Sequence, residues 1–151
     1  MPTIWVDADA TPRPVKDILF RAADRTGIEV VLVANQPMYT PRSPYIRSLQ
    51  VAKGFDVADE HIVEQVEEGD LVISADIPLA AAIAERGAIC LDPRGDLIDA
   101  SNAAARKAAR DRNEVLRNAG LLTDGPRPFG DRDKRKFAGA LDRWLTQLIK
   151  R

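Results

Sequence analysis

The sequence predicts a three-layer α/β fold, with a mostly parallel central sheet of about five strands and helices on both of its faces. Over residues 1–94, short apolar runs rich in β-branched residues alternate with segments of helical period. Connections of this length are typical of right-handed crossovers between parallel strands. Residues 28–34 are almost continuously apolar, as in a strand that is buried on both faces. An apolar fraction of 45% in 151 residues is enough for a well-packed core.

Each predicted element in the first portion has its own signal. The predicted strands are residues 4–6, 28–34, 55–57, 71–73 and 88–91. Pro12 and Pro14 suit the first turn of a helix that ends at Gly27. Two further helices are predicted over residues 45–53 and 78–86, because each segment has helical character and a glycine follows it directly.

Residues 95–151 have a different character and are predicted to be helical. Residues 100–118 are rich in alanine and arginine, and 121–130 contain the loop-forming Gly125-Pro126 pair. Residues 131–151 carry apolar side chains at helical spacing, which predicts an amphipathic helix docked on the core. We interpret residues 1–151 as one domain, with 1–94 forming the sheet and 95–151 its helical C-terminal portion.

Charge is divided unevenly between these two portions. Residues 1–94 contain 9 Lys or Arg and 15 Asp or Glu, for a net charge of −6. Residues 95–151 contain 13 and 8, for a net charge of +5. The asymmetry is compatible with an acidic site beside a basic surface for an anionic partner. It is equally compatible with attraction between the two portions within one fold.

Several classes of protein are excluded by composition. No apolar stretch approaches the length of a membrane span, and the N-terminus lacks the pattern of a secretory signal. Cys90 and His61 are the single residues of their types, so neither an intramolecular disulfide nor a Cys/His zinc site is expected. We therefore expect a cytoplasmic protein without a membrane partner.

Polar side chains follow four of the predicted strands. Because ligands of open parallel sheets bind outside the carboxyl ends of the strands, these side chains are the first candidates for a site. Capping of the following helices is an alternative role for Asp9 and Asp76, and Asp92 is also suited to a turn. The candidates are Asp7 and Asp9, Asn35 and Gln36, Ser74 and Asp76, and Asp92.

Asp7 directly follows an apolar strand, where burial of an unpaired carboxylate is unfavourable by several kcal/mol. A divalent cation at this edge would remove that penalty and would explain the convergence of acidic residues. Hard oxygen ligands suit Mg²⁺ or Mn²⁺ rather than Zn²⁺.

The motifs around these residues resemble those of the bacterial YaiI/YqxD family, and they do so in order over essentially the whole chain. The motifs are Val6-Asp7-Ala8-Asp9-Ala10, Val33-Ala34-Asn35-Gln36, the run from Gly54 to Asp59, the run from Gly69 to Ala80, Pro93-Arg94-Gly95, Arg117-Asn118-Ala119-Gly120 and Gly125-Pro126-Arg127-Pro128-Phe129.

The resemblance implies a PIN-like fold, a fold that includes metal-dependent RNA-cleaving nucleases. It implies that Asp7, Asp76 and, more loosely, Asp92 are the catalytic carboxylates that hold the metal, with Asp9 as an additional catalytic acid. Such nucleases usually carry a further acidic residue on a central helix, and residues 45–53 contain none. Asp56 and Asp59 are the candidates to replace it.

The same resemblance leads to a mechanistic expectation. One or two Mg²⁺ or Mn²⁺ ions would promote attack of water on a phosphodiester, with RNA as the expected partner. Basic side chains would contact its phosphates. The substrate-binding candidates are Asn35, Gln36, Ser74, Arg94, Arg117 and Arg127.

Two other functions remain open. Asp7-x-Asp9-x-Thr11 after a strand also matches the signature of haloacid-dehalogenase-like phosphatases, in which Asp7 would be the nucleophile and Asp9 the general acid/base. That match is incomplete, because Gly69-Asp70 precedes a predicted strand instead of following one. The other alternative is a non-catalytic PIN-like domain that binds RNA or a protein.

Overall fold

The computed structural model describes residues 1–54, 56–121 and 127–150, and its elements form one sheet flanked by helices. The strands are β1 (Thr3–Asp7), β2 (Glu29–Ala34), β3 (Ile46–Gln50), β4 (Leu71–Ile73), β5 (Ile89–Leu91) and β6 (Leu97–Ile98). The α-helices are α1 (Arg13–Thr26), α2 (Val57–Gln65), α3 (Ile77–Glu85), α4 (Ala103–Asn118) and α5 (Asp131–Ile149).

The sheet confirms the predicted α/β class with a mostly parallel arrangement. Its strand order is β3-β2-β1-β4-β5-β6, and only the β5–β6 pair is antiparallel. Val6 at the centre pairs with Leu32 on one side and Ile73 on the other. The chain first extends the sheet from β1 through β2 to β3, and then crosses to place β4 on the opposite side of β1. The switch point of the topology therefore lies between β1 and β4.

Helices cover both faces of this sheet, which gives the three predicted layers. On one face, α1 and α5 bury side chains such as Leu19 and Phe137 against the strands. On the other face, α2 and α3 bury Ile62 and Ile83 against Trp5 and its neighbours. The amphipathic C-terminal helix thus docks on the core, as its apolar periodicity predicts.

Four of the five predicted helices are confirmed. Pro14 lies in the first turn of α1, and Gly27 ends that helix with a left-handed φ of 75°. The helices predicted over residues 78–86, 100–118 and 131–151 correspond to α3, α4 and α5. Of the predicted loop over residues 121–130, residues 122–126 lie outside the described residues.

Two predictions for the central segment were wrong. Residues 45–53 form the edge strand β3 rather than a helix, and β3 pairs only with β2. Its outer surface is exposed at Arg47 and Ser48, so the sequence lacks the apolar run that marks a buried strand. In the predicted strand 55–57, Val57 instead begins α2, whereas Phe55 lies outside the described residues. The sheet has six strands among the described residues, with β6 also missed.

No described helix combines the length and apolar character that crossing a bilayer requires.

Candidate functional site

The carboxyl ends of β1 and β4 meet at the switch point of the sheet, where ligands of open α/β folds bind. Asp7 ends β1, and Ser74 and Asp76 follow β4 directly. Residues separated by more than sixty positions in the chain are therefore brought together by the parallel pairing of two strands. The structure places this part of the sequence-predicted site at one edge of the sheet.

Asp7 is a buried carboxyl group with one side-chain partner. The Ser74 hydroxyl donates to Asp7 Oδ2 over 3.1 Å, and the Asp7 side chain carries no salt bridge to a described residue. Burial raises the pKa of Asp7, and the charges of Asp76 and Asp9 raise it further against the opposing effect of Ser74. The ionised form of Asp7 is therefore less favourable at this edge of the sheet than it is in water.

Asp59 on α2 joins this group, although it was only a substitute candidate in the sequence. Burial raises the pKa of Asp59 to about 7, and a hydrogen bond with Asp76 and the charges of Asp7, Asp76 and Asp56 add to the rise. Burial is the largest of these causes, and the neighbouring carboxyl groups add to it. Asp59 is thus an acidic residue on helix α2 that contacts Asp76, and its role as the substitute acid stays a prediction.

Asp76 both caps a helix and contributes to the carboxylate group. Its Oδ1 accepts a hydrogen bond from the Leu79 amide over 3.0 Å at the start of α3. Its own amide donates to the Ser74 hydroxyl, also over 3.0 Å. Because a carboxylate has two oxygens with several lone pairs, the cap leaves acceptor capacity for the site. Ser74 thereby links the positions of Asp7 and Asp76.

Asp9 accepts hydrogen bonds from the loop that follows β2, and it does not cap α1. It lies in a 3-10 turn over Ala8–Ala10, where it accepts hydrogen bonds from the Asn35 amide over 2.7 Å and from Gln36 Nε2 over 3.4 Å. Asn35 Oδ1 is buried, and no described residue donates a hydrogen bond to it. A buried acceptor of this kind is unfavourable unless a donor or a cation satisfies it.

Two adjacent cavities open at this edge, and Asp56 and Asp59 line both of them. The smaller, of about 180 Å³, is bordered by Asp7, Asp9 and Asn35 on its sheet side. The larger, of about 460 Å³, extends between α2, α3 and α4. We call the smaller one the carboxylate cavity and the larger one the helix cavity.

Asp92 occupies the end of β5, as predicted, but it interacts with a different set of groups. It accepts a hydrogen bond from the Arg94 amide over 2.6 Å, within a turn closed by its own amide and the carbonyl of Asp96. Burial raises its pKa against the opposing Arg94 amide, and the charges that act most on it are those of Asp96, Arg94 and Arg106. Its contacts are those of a turn residue, and its predicted catalytic role stays a prediction.

The basic substrate-binding candidates are divided between two settings. Arg94 and Arg127 both contact the buried Asp133, at 3.0 Å and 2.8 Å, and Arg94 also packs over the Phe129 ring. Burial opposes ionisation of Asp133, but the Gly130 amide and the two guanidinium groups outweigh it and lower its pKa. These contacts fix the start of α5. Arg117, in contrast, is exposed near the end of α4.

The donor set of the carboxylate cavity fits a hard divalent cation with an incomplete set of protein ligands. No group of three or more His, Cys, Asp or Glu side chains stands ready as a metal site in the chain outside residues 55, 122–126 and 151. Mg²⁺ usually retains several waters and needs only one or two carboxylates from the protein. Asp7 and Asp59 line this cavity together with Asn35, so two carboxylates and an amide oxygen border it, and Asp76 lies beside Asp59 on the side of the helix cavity.

Asp70 bears on the phosphatase alternative, and it lies at the opposite end of the sheet. It directly precedes β4 and accepts hydrogen bonds from the Thr3 amide, the Trp5 indole and the Glu67 amide. These three hydrogen bonds hold β1 and the turn before β4 together, and Asp70 does not line the carboxylate cavity.

Comparisons with known proteins give a consistent assignment. Residues 5–147 match the family described as "Uncharacterized BCR, YaiI/YqxD family". A UPF0178 protein of Yersinia enterocolitica is 55% identical over 147 residues, which cover 97% of each chain. UPF0178 proteins of Yersinia pestis and Yersinia pseudotuberculosis are 54% identical over 144 residues, or 95% of each chain. The chain belongs to the YaiI/YqxD family.

Proposed function

We propose that this protein is a nuclease that depends on a divalent cation and hydrolyses phosphodiester bonds, with RNA as its substrate. The observation that carries the proposal is the convergence of Asp7, Asp59 and Asp76 at the switch point. Burial, a hydrogen bond with Asp76 and the charges of the neighbouring carboxyl groups together raise the pKa of Asp59 to about 7. Perturbed carboxyl groups in a cleft are characteristic of functional sites.

The side chains would act as follows. Asp7, Asp59, Asp76 and Asn35 would hold Mg²⁺ or Mn²⁺, which when bound neutralises phosphate charge and lowers the pKa of water. The Ser74 hydroxyl links the Asp7 carboxylate to the backbone of Asp76, because it donates to Asp7 Oδ2 and accepts from the Asp76 backbone amide. Because the pKa of Asp59 is about 7, its carboxyl group is protonated in about half of the molecules at pH 7. Binding of a cation to the carboxylate would displace that proton.

The distribution of ion pairs favours an anionic substrate. Among the described residues, the salt bridges that join the two portions of the chain are Arg25–Asp142 and Arg94–Asp133. In each of them the arginine comes from the acidic residues 1–94 and the aspartate from the basic residues 95–151. Neither salt bridge therefore neutralises the excess positive charge of residues 95–151. The basic surface of residues 95–151 is therefore available to phosphates, and affinity is expected to fall as salt rises. The choice of RNA over DNA follows the family resemblance.

A cleavage assay with matched variants tests the proposal. Wild-type protein with Mn²⁺ should cleave a labelled single-stranded RNA, and Asp7→Asn and Asp59→Asn should each reduce the rate by about 100-fold or more. Asp17→Asn is the control, because it removes an exposed carboxylate from α1 on the other face of the sheet. Absence of metal-dependent turnover in the wild type, or equal rates in all four proteins, would contradict the proposal.

A second candidate function is supported by one observation. The lack of a preset group of three metal-ligating side chains within residues 1–54, 56–121 and 127–150 favours a domain that binds RNA without cleaving it. Fluorescence anisotropy distinguishes this candidate. Salt-sensitive binding of labelled RNA with no turnover under any Mn²⁺ concentration would select the binding function.

A further inference from the structure

The helix cavity shares Asp59 and Asp76 with the proposed cation site, but the rest of its lining has no role in the proposed hydrolysis. Its volume of about 460 Å³ falls within the range of about 300–1,000 Å³ that is typical of small-molecule sites. Because Asp59 lines both cavities, a strand with its phosphodiester at the carboxylate cavity could place an adjacent nucleoside in the helix cavity.

The floor of the helix cavity is apolar and comes from two helices. Val63 of α2 faces Pro78, Leu79 and Ala82 of α3 across it. Aliphatic and proline side chains form a surface against which a flat aromatic ring can pack with its apolar faces. The floor thus suits a heterocyclic base better than it suits a phosphate or a sugar.

The rim of the helix cavity supplies hydrogen-bond acceptors on one side and a cation on the other. Glu60 and Glu64 lie one helical turn apart on α2, and both line the cavity. Neither forms a salt bridge within the described part of the chain. Arg110 borders the cavity from α4, where its ion pairs with Asp111 and Glu114 are long, at 3.8 Å and 3.9 Å.

We propose that the helix cavity binds a guanine base of the RNA strand, an inference that rests on the proposed nuclease function. Guanine presents two adjacent donors, N1–H and the N2 amino group, which match the two oxygens of one carboxylate. Uracil presents a single N–H between two carbonyl oxygens that a carboxylate repels. Adenine and cytosine present an amino donor beside a ring nitrogen that is an acceptor. Glu60 and Glu64 are the specificity-determining residues, and Arg110 contacts the phosphate of the same nucleotide.

Binding of free nucleotides tests this inference without any cleavage. GMP, AMP, CMP and UMP are titrated separately into the metal-free full-length protein, and binding is followed by calorimetry. GMP should bind about tenfold or more tightly than UMP, because a bidentate contact discriminates between bases to that extent. In Glu60→Gln and Glu64→Gln, at least one substitution should reduce the preference to about twofold, because an amide replaces one acceptor with a donor.

Glu85→Gln is the matched control, since Glu85 is exposed near the end of α3 and does not line the helix cavity. It should retain the GMP preference, and circular dichroism should show the same fold for all variants. Equal affinities for the four nucleotides, no binding of GMP, or an unchanged preference in both glutamine variants would overturn the inference. A GMP preference in a protein without nuclease activity would support the base site and contradict only the hydrolysis.

Discussion

Aspartates lie at both ends of β4, and they are treated in opposite ways by the fold. At the amino-terminal end, Asp70 accepts hydrogen bonds from two backbone amides and the Trp5 indole. At the carboxyl end, Asp76 lies beside Asp7, which ends the adjacent strand β1, and beside Asp59 of α2. Burial and the neighbouring carboxyl groups raise the pKa of Asp7 and of Asp59. The same side chain is thus stabilised by donors at one end and left without sufficient positive charge at the other. We interpret the first as structural and the second as functional.

The largest effect that sharpens this comparison is expected at the structural end. Asp70→Ala removes the acceptor of three hydrogen bonds, and it leaves a buried donor at the Trp5 indole and partly buried donors at the Thr3 and Glu67 amides. We expect a loss of about 3 kcal/mol in the free energy of unfolding, or about 6–12 °C in Tm. Thermal unfolding by circular dichroism measures this, and a change below about 1 °C would refute the structural interpretation of Asp70.

At the carboxyl end, the same type of substitution should stabilise the metal-free protein. Asp59→Asn removes a charge that Asp76, Asp7 and Asp56 oppose. The full pKa shift corresponds to several kcal/mol, but Asp59 is partly exposed and screened, so we expect a gain of about 1–2 kcal/mol at pH 8. Urea unfolding tests the sign. A loss of stability in metal-free buffer would show that the Asp59 carboxylate is not strained by its neighbours.

The pH dependence follows from the same shift. The pKa of Asp59 is about 7 in the folded protein, against an ordinary value of 3.8 for an aspartate, so the folded state holds the proton more strongly than the unfolded state does. This contribution to stability is fully present below about pH 4 and is lost as pH rises through about 7. Between pH 5 and 8, wild-type stability should therefore decline more steeply than that of Asp59→Asn. Parallel profiles would contradict the assigned pKa.

A smaller effect is expected at Asp9, which connects the turn after β1 to the loop after β2 by hydrogen bonds. Asp9→Ala removes the acceptor for the Asn35 amide and for Gln36, in a partly exposed position. We expect a loss of about 1 kcal/mol in unfolding free energy, because exposed donors regain water. A loss above about 3 kcal/mol in urea unfolding would show a larger structural role.

The sequence was informative wherever local signals coincide with burial. Apolar runs identified β1, β2, β4 and β5, and the rule that ligands bind at strand ends correctly placed Asp7 and Asp76 at one edge. Asp59 escaped a firm assignment because α2 begins after Asp56 in a left-handed conformation, with no capping side chain to signal its start. Its proximity to Asp76 depends on the packing of α2 against α3, which no local pattern encodes.

For the basic residues, the sequence suggested phosphate contacts for side chains that form ion pairs within the fold. The nuclease interpretation of the sequence grouped Arg94 and Arg127 with Arg117 as candidates for phosphate contacts. The structure separates them, because Asp133 holds the first two at the start of α5. A buried acid that attracts two guanidinium groups is a tertiary feature, and spacing in the sequence does not reveal it.

The measurement that tests the central claim most directly is calorimetric titration of Mn²⁺ into the wild type, Asp76→Asn and Asp17→Asn at pH 7. Asparagine retains the cap of α3, so Asp76→Asn should fold normally while losing a ligand and a charge. We predict saturable binding in the wild type and Asp17→Asn, accompanied by proton release, and affinity at least tenfold weaker in Asp76→Asn. Equal heats and affinities in all three proteins would contradict a cation site formed by Asp7, Asp59 and Asp76.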